Sequence, residues 1–221
     1  MFRLAAPAGA AHFHEYARSR VKARGEEMRA DEFEGLLRQA RSIRRFDGSR
    51  PVGREGLLGL VAAARLAPTA NNSQTLRFRL VFEPEEVAAT FATHRWAAAI
   101  KDWDGPEPGE RPTAYLAVCA PSEMAELPIR NVDAGIAAEA IALAASARGL
   151  GACMIKSYGP ELDQVLGLGE RGLACLLLVA VGWPAEEVRL EDADGVGGLA
   201  YWHDEERVNH VPKLSVEELL A

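Results

Sequence analysis

The chain has 221 residues, of which 48% are hydrophobic and 26% charged, and a formal net charge of −7. That length and composition suffice for the core of one sizeable soluble domain, whereas the apolar runs fall well short of the about 20 residues a membrane-spanning helix needs. Residues 1–54 carry 12 Lys and Arg against 7 Asp and Glu (+5), so the remainder holds 13 against 25 (−12), and an acidic body argues against a nucleic-acid surface.

No signal peptide or membrane address is legible, and a cytoplasmic location is expected. Cys119, Cys153 and Cys175 each sit in an apolar run without a CxxC spacing, which reads as reduced core thiols. The five histidines show no metal-ligand spacing outside His12-x-His14, so no metal site is expected.

In chain order, residues 1–28 read as a peripheral N-terminal extension and 29–221 as the working domain. Asp31-Glu32-Phe33-Glu34 opens a helix with acidic residues in its first turn. It ends at Arg41-Ser42-Ile43-Arg44-Arg45-Phe46. Three guanidiniums and a hydroxyl within five residues match phosphate chemistry, although a solvated basic turn has the same composition. A second amphipathic helix spans about 54–67 and a strand spans Leu76 to Phe82. Between them lies Pro68-Thr69-Ala70-Asn71-Asn72-Ser73-Gln74-Thr75, a turn crowded with neutral side chains that both donate and accept hydrogen bonds. A plain helix end capped by a left-handed Asn is the competing reading.

Pro84-Glu85-Glu86 starts a further helix through Phe91 and towards Trp96. Residues 101–112 form a Pro- and Gly-rich loop around Trp103, which serves either as a lid or as a loop anchor. A strand follows over Thr113 to Ala120. Residues 133–148 form a helix apolar nearly all round, which implies a place at the centre of the fold or against a second subunit. Gly149-Leu150-Gly151 caps it, ahead of a strand at Ala152 to Lys156. Pro160 to Leu166 is a short helix, and Leu173 to Trp183 a buried strand. Glu186 to Gly198 is an acidic excursion, Tyr201-Trp202 an edge strand or arm, and Ser215 to Leu220 a last helix. Helices and strands mix without βαβ alternation, so the class is α+β.

No dinucleotide fingerprint, Walker loop, GxSxG elbow or HExxH is present, and no carboxylate is paired convincingly with a histidine by the sequence for acid–base work. The basic Arg41–Phe46 run, the amide-rich Ala67–Gln74 turn, Asp133–Ala138 leading to Gly149-Leu150-Gly151, then Val181-Gly182-Trp183-Pro184 and Lys213 occur in an order that resembles the nitroreductase family of FMN-dependent oxidoreductases. The likeness spans roughly residues 31–221.

That resemblance implies a homodimer with a central, mostly antiparallel sheet flanked by helices, exchanged terminal segments and FMN at the subunit interface. It implies that Arg41, Ser42, Arg44 and Arg45 hold the phosphate and ribityl end, with Lys213 reaching the phosphate. Pro68, Thr69, Asn72 and Gln74 would come from the second subunit. Ile155, Lys156 and Ser157 would run past the flavin ring, with a backbone N–H at N5, and Arg95 would serve its pyrimidine edge. Ala40 and Leu214 stand where the family often has cations, and Arg45 or Arg50 would have to compensate.

NADH or NADPH would be the donor and a nitroaromatic, quinone or similar small molecule the acceptor, in ping-pong order. The alternatives are a different flavin reaction on the same fold, such as dehalogenation or flavin fragmentation, or a non-catalytic flavin-binding protein.

Overall fold

A computed structural model describes residues 28–96, 100, 103–193 and 198–220. The chain divides into two compact units, Met1–Gly35 and Leu36–Ala221. Most of the expected N-terminal extension, with His12 and His14, lies outside the described residues. Helix α1 (Ala30–Gln39) begins in the first unit, with Asp31 and Glu32 in its first turn as expected.

The second unit is built on a four-stranded sheet of β1 (Arg77–Val81), β2 (Ala114–Pro121), β3 (Gly151–Ile155) and β4 (Leu173–Gly182), in the order β1-β2-β4-β3. Every pairing in it is antiparallel. Strand alternation sends Leu116, Val118, Val179 and Val181 to one face, beneath α2 (Arg54–Ala64) and α4 (Pro128–Ser146). Tyr115, Ala117, Leu178 and Ala180 turn to the other, where they meet Ile43, Phe46 and Trp96. With both faces covered, β2 is buried from Ala114 to Ala120, and its uniformly apolar sequence follows.

Helix α3 (Pro84–Phe91) stops before Trp96 rather than running on to it. The reason is a competing partner: Arg95 donates its N–H to the Ser157 carbonyl, Gly159 donates to that of Thr93, and His94 bridges Tyr158. Helix α5 (Glu161–Val165) is short, as expected.

Helix α4 starts five residues earlier than the spacing predicts. Its residues Ala134, Ala137, Ala138, Ile141 and Ala145 are buried, but Ile129, Val132 and Ile136 are exposed. Within its own chain this helix is therefore not enclosed on all sides. Gly149, at φ +73°, ends the turn after it.

Beyond β4, the acidic excursion contains strand β5 (Val188–Asp192). It pairs in parallel with β7 (Asn209–Lys213), which in turn pairs with the two-residue β6 (Trp202–His203). The expected final helix is only a single turn at Glu217–Leu219. Its capping box is nonetheless complete: Glu218 N–H donates to Ser215 Oγ at 3.2 Å, and Ser215 N–H to Glu218 Oε2 at 2.9 Å.

Candidate functional site

The Arg41–Phe46 run lies along the free edge of β3. Ser42 bridges Ala152 in parallel, Ile43 donates its N–H to the Ala152 carbonyl at 3.0 Å, and Phe46 bridges Pro184. Two glycines allow the approach. A Cβ on Gly151 would stand 2.8 Å from Ile43, and one on Gly182 would stand 2.7 Å from the Phe46 ring.

Because the Ala152 carbonyl turns to this edge, the two-residue alternation of an antiparallel ladder turns the backbone of Met154 the same way, and Lys156 follows just past the strand. Strand β3 is the outer strand of its sheet, so beyond Ile43 this edge offers backbone donors and acceptors.

There a cleft of about 150 Å³ opens, lined by Arg44, Arg95, Trp96, Cys153, the Met154–Ser157 run and Tyr201. Five of the expected site residues, Arg44, Arg95, Ile155, Lys156 and Ser157, thus converge from three separate segments. Ser157 Oγ donates to the Arg95 carbonyl at 2.8 Å and fixes the two segments together. The Lys156 ammonium bends away to the Leu176 carbonyl, 2.6 Å off, and lies near the Tyr158 hydroxyl at 3.3 Å. Burial pushes the Cys153 thiol up to about 11, so it stays protonated at neutral pH and contributes shape rather than a nucleophile.

Arg41, Ser42 and Lys213 lie outside the lining of that cleft. The Arg41 guanidinium donates to the Leu37 carbonyl at 2.9 Å, yet its buried Nε has no hydrogen-bond acceptor among the described residues. Lys213 is exposed at the end of β7, where its carbonyl receives the Ala193 N–H at 2.8 Å.

Arg45 does not join the others. It is buried, 3.5 Å from Glu110 and 3.6 Å from Glu186, with the Trp103 ring against its guanidinium. Its charge is already compensated by acids that the sequence places 65 and 141 residues away. Arg50 likewise lies over the Trp183 ring at 3.7 Å. Both guanidiniums are thus already engaged by other side chains. Trp103, wedged between Arg45 and His203, anchors its loop rather than capping a ligand.

The amide-rich turn is a built object. Asn71, Asn72 and Gln74 adopt positive φ of 54°, 50° and 47°, a region that Asn tolerates and most residues avoid. A buried pair beneath the turn holds it there. Asp133 Oδ1 accepts the Ala70 N–H at 2.8 Å, Arg130 pairs with Asp133 at 2.9 Å, and Arg130 also donates to Ser73 Oγ at 2.7 Å. The side chains of Asn72 and Gln74 remain exposed.

Strand register puts this turn, before Arg77, at the same end of the sheet as Ile155, because Arg77 faces Cys119, Cys119 faces Cys175, and Ile155 faces Leu178. Two strands intervene, a separation of about 14 Å.

Sequence reasoning passed over Glu186, Tyr201 and the Arg130–Asp133 pair. Only the last had a local signal, its i,i+3 spacing at a helix start. Glu186 accepts the backbone N–H groups of both Arg44 and Arg45; burial pushes its carboxyl up, and those two N–H groups oppose the shift.

Comparison with known proteins places this geometry. A family model described as "Nitroreductase family" matches residues 37–183. A protein provisionally named NADH dehydrogenase/NAD(P)H nitroreductase, from Archaeoglobus fulgidus, is 27% identical over 166 residues, covering 72% of this chain and 89% of its own. Among solved structures, an FMN-dependent nitroreductase from Clostridium difficile superposes with a TM-score of 0.53 at 23% identity, covering 73% of this chain and 92% of its own. A nitroreductase family protein from Clostridium difficile 630 reaches 0.56 at 18% identity, covering 84% and 95%. At such identities the structural likenesses establish the fold.

Proposed function

The chain belongs to the nitroreductase family, and on that premise we propose that it is an FMN-dependent oxidoreductase that takes electrons from NADH or NADPH and passes them to a small organic acceptor, a nitroaromatic, quinone or similar molecule. The observation that carries the reading is the cleft at the end of β3, where Arg44, Arg95 and Ser157 surround the outer edge of that strand beyond Ile43. Its donor set suits a phosphorylated flavin: guanidiniums for anionic and carbonyl oxygens, and backbone N–H groups for a heterocycle edge. The Nε of Arg41, without an acceptor among the described residues, supports the same assignment for the phosphate end.

Bound FMN would supply both hydride and single-electron chemistry, so no side chain has to act as an acid or base. Arg41 and Ser42 would hold the phosphate and ribityl chain, with Lys213 as a further phosphate contact. Ile155, Lys156 and Ser157 would lie along the ring, and Arg44 and Arg95 would neutralise its polar edge. Arg45 belongs to the scaffold.

The working unit is a homodimer. A cleft of about 150 Å³ is half the lower end of the roughly 300–1,000 Å³ typical of small-molecule sites, so a second wall is needed. The exposed amides of Pro68–Gln74 suit that wall, supplied from a second copy. The Ile129, Val132 and Ile136 stripe on α4 and the exposed Val216, Leu219 and Leu220 provide apolar surface for the association and for exchanged terminal segments. The purified protein is expected to be yellow, to sediment as a dimer and to bleach with NADH or NADPH. A colourless protein that takes up no added FMN overturns the reading.

A further inference from the structure

We propose that Tyr201 is a positioning residue that holds the Arg44 guanidinium in the cleft, acting with Glu186 as a two-point clamp; this rests on the FMN reading above. Arg44 is a long side chain at a partly exposed position, and a free arginine there would sample many rotamers. Ordering it on ligand binding would cost affinity.

Arg44 is held at both ends: Glu186 fixes its main chain, and two contacts at the guanidinium limit its rotamers in advance. Its backbone N–H donates to the buried Glu186 carboxylate, and Glu186 also accepts from Arg45. Its guanidinium carbon lies 4.5 Å from the centre of the Tyr201 ring, and Nη1 reaches the Ser42 carbonyl at 3.4 Å. Tyr201 itself lines the cleft beside Arg44.

The division of labour follows from the shape of a guanidinium. Its face stacks on the aromatic ring, while its N–H donors lie in the plane at the edge. Stacking therefore orients the group without consuming the donors that a flavin would use. Tyr201 arrives from the segment just before β6, so the C-terminal sheet contributes to the cleft a group that neither the basic run nor the amide-rich turn supplies.

The experiment measures FMN affinity by quenching of flavin fluorescence on addition of apoprotein, for wild type, Tyr201→Phe, Tyr201→Leu, Arg44→Ala and the double variant Arg44→Ala/Tyr201→Leu. Tyr201→Phe keeps the ring face and should bind within about twofold of wild type. Tyr201→Leu keeps bulk but loses the face and should bind about five- to tenfold more weakly, the scale of a partly desolvated cation–π contact.

In the Arg44→Ala background the Leu substitution should have no further effect, because its target is gone. Wild-type affinity in Tyr201→Leu overturns the clamp, as does an equal, additive loss in the double variant, which would mean that Tyr201 touches the ligand on its own account. Wild-type protein that binds no FMN at all overturns the functional reading and the clamp with it, whereas the other two failures leave that reading intact.

Discussion

The four-stranded sheet and the C-terminal three-stranded sheet are held together by different physics. In the first, β2 is buried along nearly its whole length, and two apolar clusters cover opposite faces; its cohesion comes from apolar area removed from water. In the second, β6 has two residues and β5 is largely exposed. There His210 sits between Asp204, at 3.0 Å, and Glu191, with the Trp202 ring stacked on it at 4.1 Å. Apolar burial is itself indifferent to pH, whereas a sheet held by charge-assisted hydrogen bonds is tunable. Tyr201 and Lys213, both tied to the proposed site, are carried by the tunable sheet.

The largest effect should come from a polar group embedded in the apolar body. Asp133→Ala strands Arg130 and the Ala70 N–H, and a loss of about 3–5 kcal/mol is expected in urea unfolding, with weaker FMN uptake as the 69–75 turn loosens. Leu178→Ala, in the middle of the buried sheet, should cost about 2–5 kcal/mol while leaving the C-terminal sheet's titrations unchanged.

Next come the histidines, whose signs oppose each other. Hydrogen bonds to Asp204 and then Glu191 raise the pKa of His210. Its contribution is complete below the unfolded value near 6.5 and is lost as pH rises through the folded value. Burial lowers His94 to about 4, so the main body keeps it neutral and loses stability as pH falls from about 6.5 towards 4. His203 is lowered as well, first by burial and then by Arg45; it acts in the same sense as His94, which leaves His210 to carry the alkaline response. Ring-proton NMR titration should place His210 above and His94 below the ordinary histidine range, and a coincident pair would erase the contrast.

The smallest effect is expected at the exposed Arg189–Glu187 pair, 2.7 Å apart at the start of β5. Arg189→Ala should not shift the unfolding midpoint measurably.

How far the chain could be read without its structure differs by region. Alternation over Leu76–Phe82, and the apolar runs over Thr113–Ala120 and from Leu173, locate the strands to within a residue or two, because their side chains meet a core whose period is local. Strands β5 and β7 were illegible. They are short, charged, and paired only through each other and β6, so nothing in their own periodicity announces a partner. The same limit applies to two neighbours in the basic run. Arg44 and Arg45 are equivalent by composition, yet one lines the cleft and the other is buried among carboxylates.

The sequence by itself determined the α+β class, the order of the elements as far as β4, and the stock of guanidinium, hydroxyl and amide groups, since these depend on local periodicity and residue chemistry. Only the tertiary structure decided that Glu186 and Glu110 claim Arg45, that Tyr201 stacks on Arg44, and that the 69–75 turn rests on a buried Arg130–Asp133 pair. The physical reason is that an ion pair or a stacked ring is fixed by proximity in space. Residues 141 positions apart become neighbours only after burial of the apolar sheet has brought their segments together.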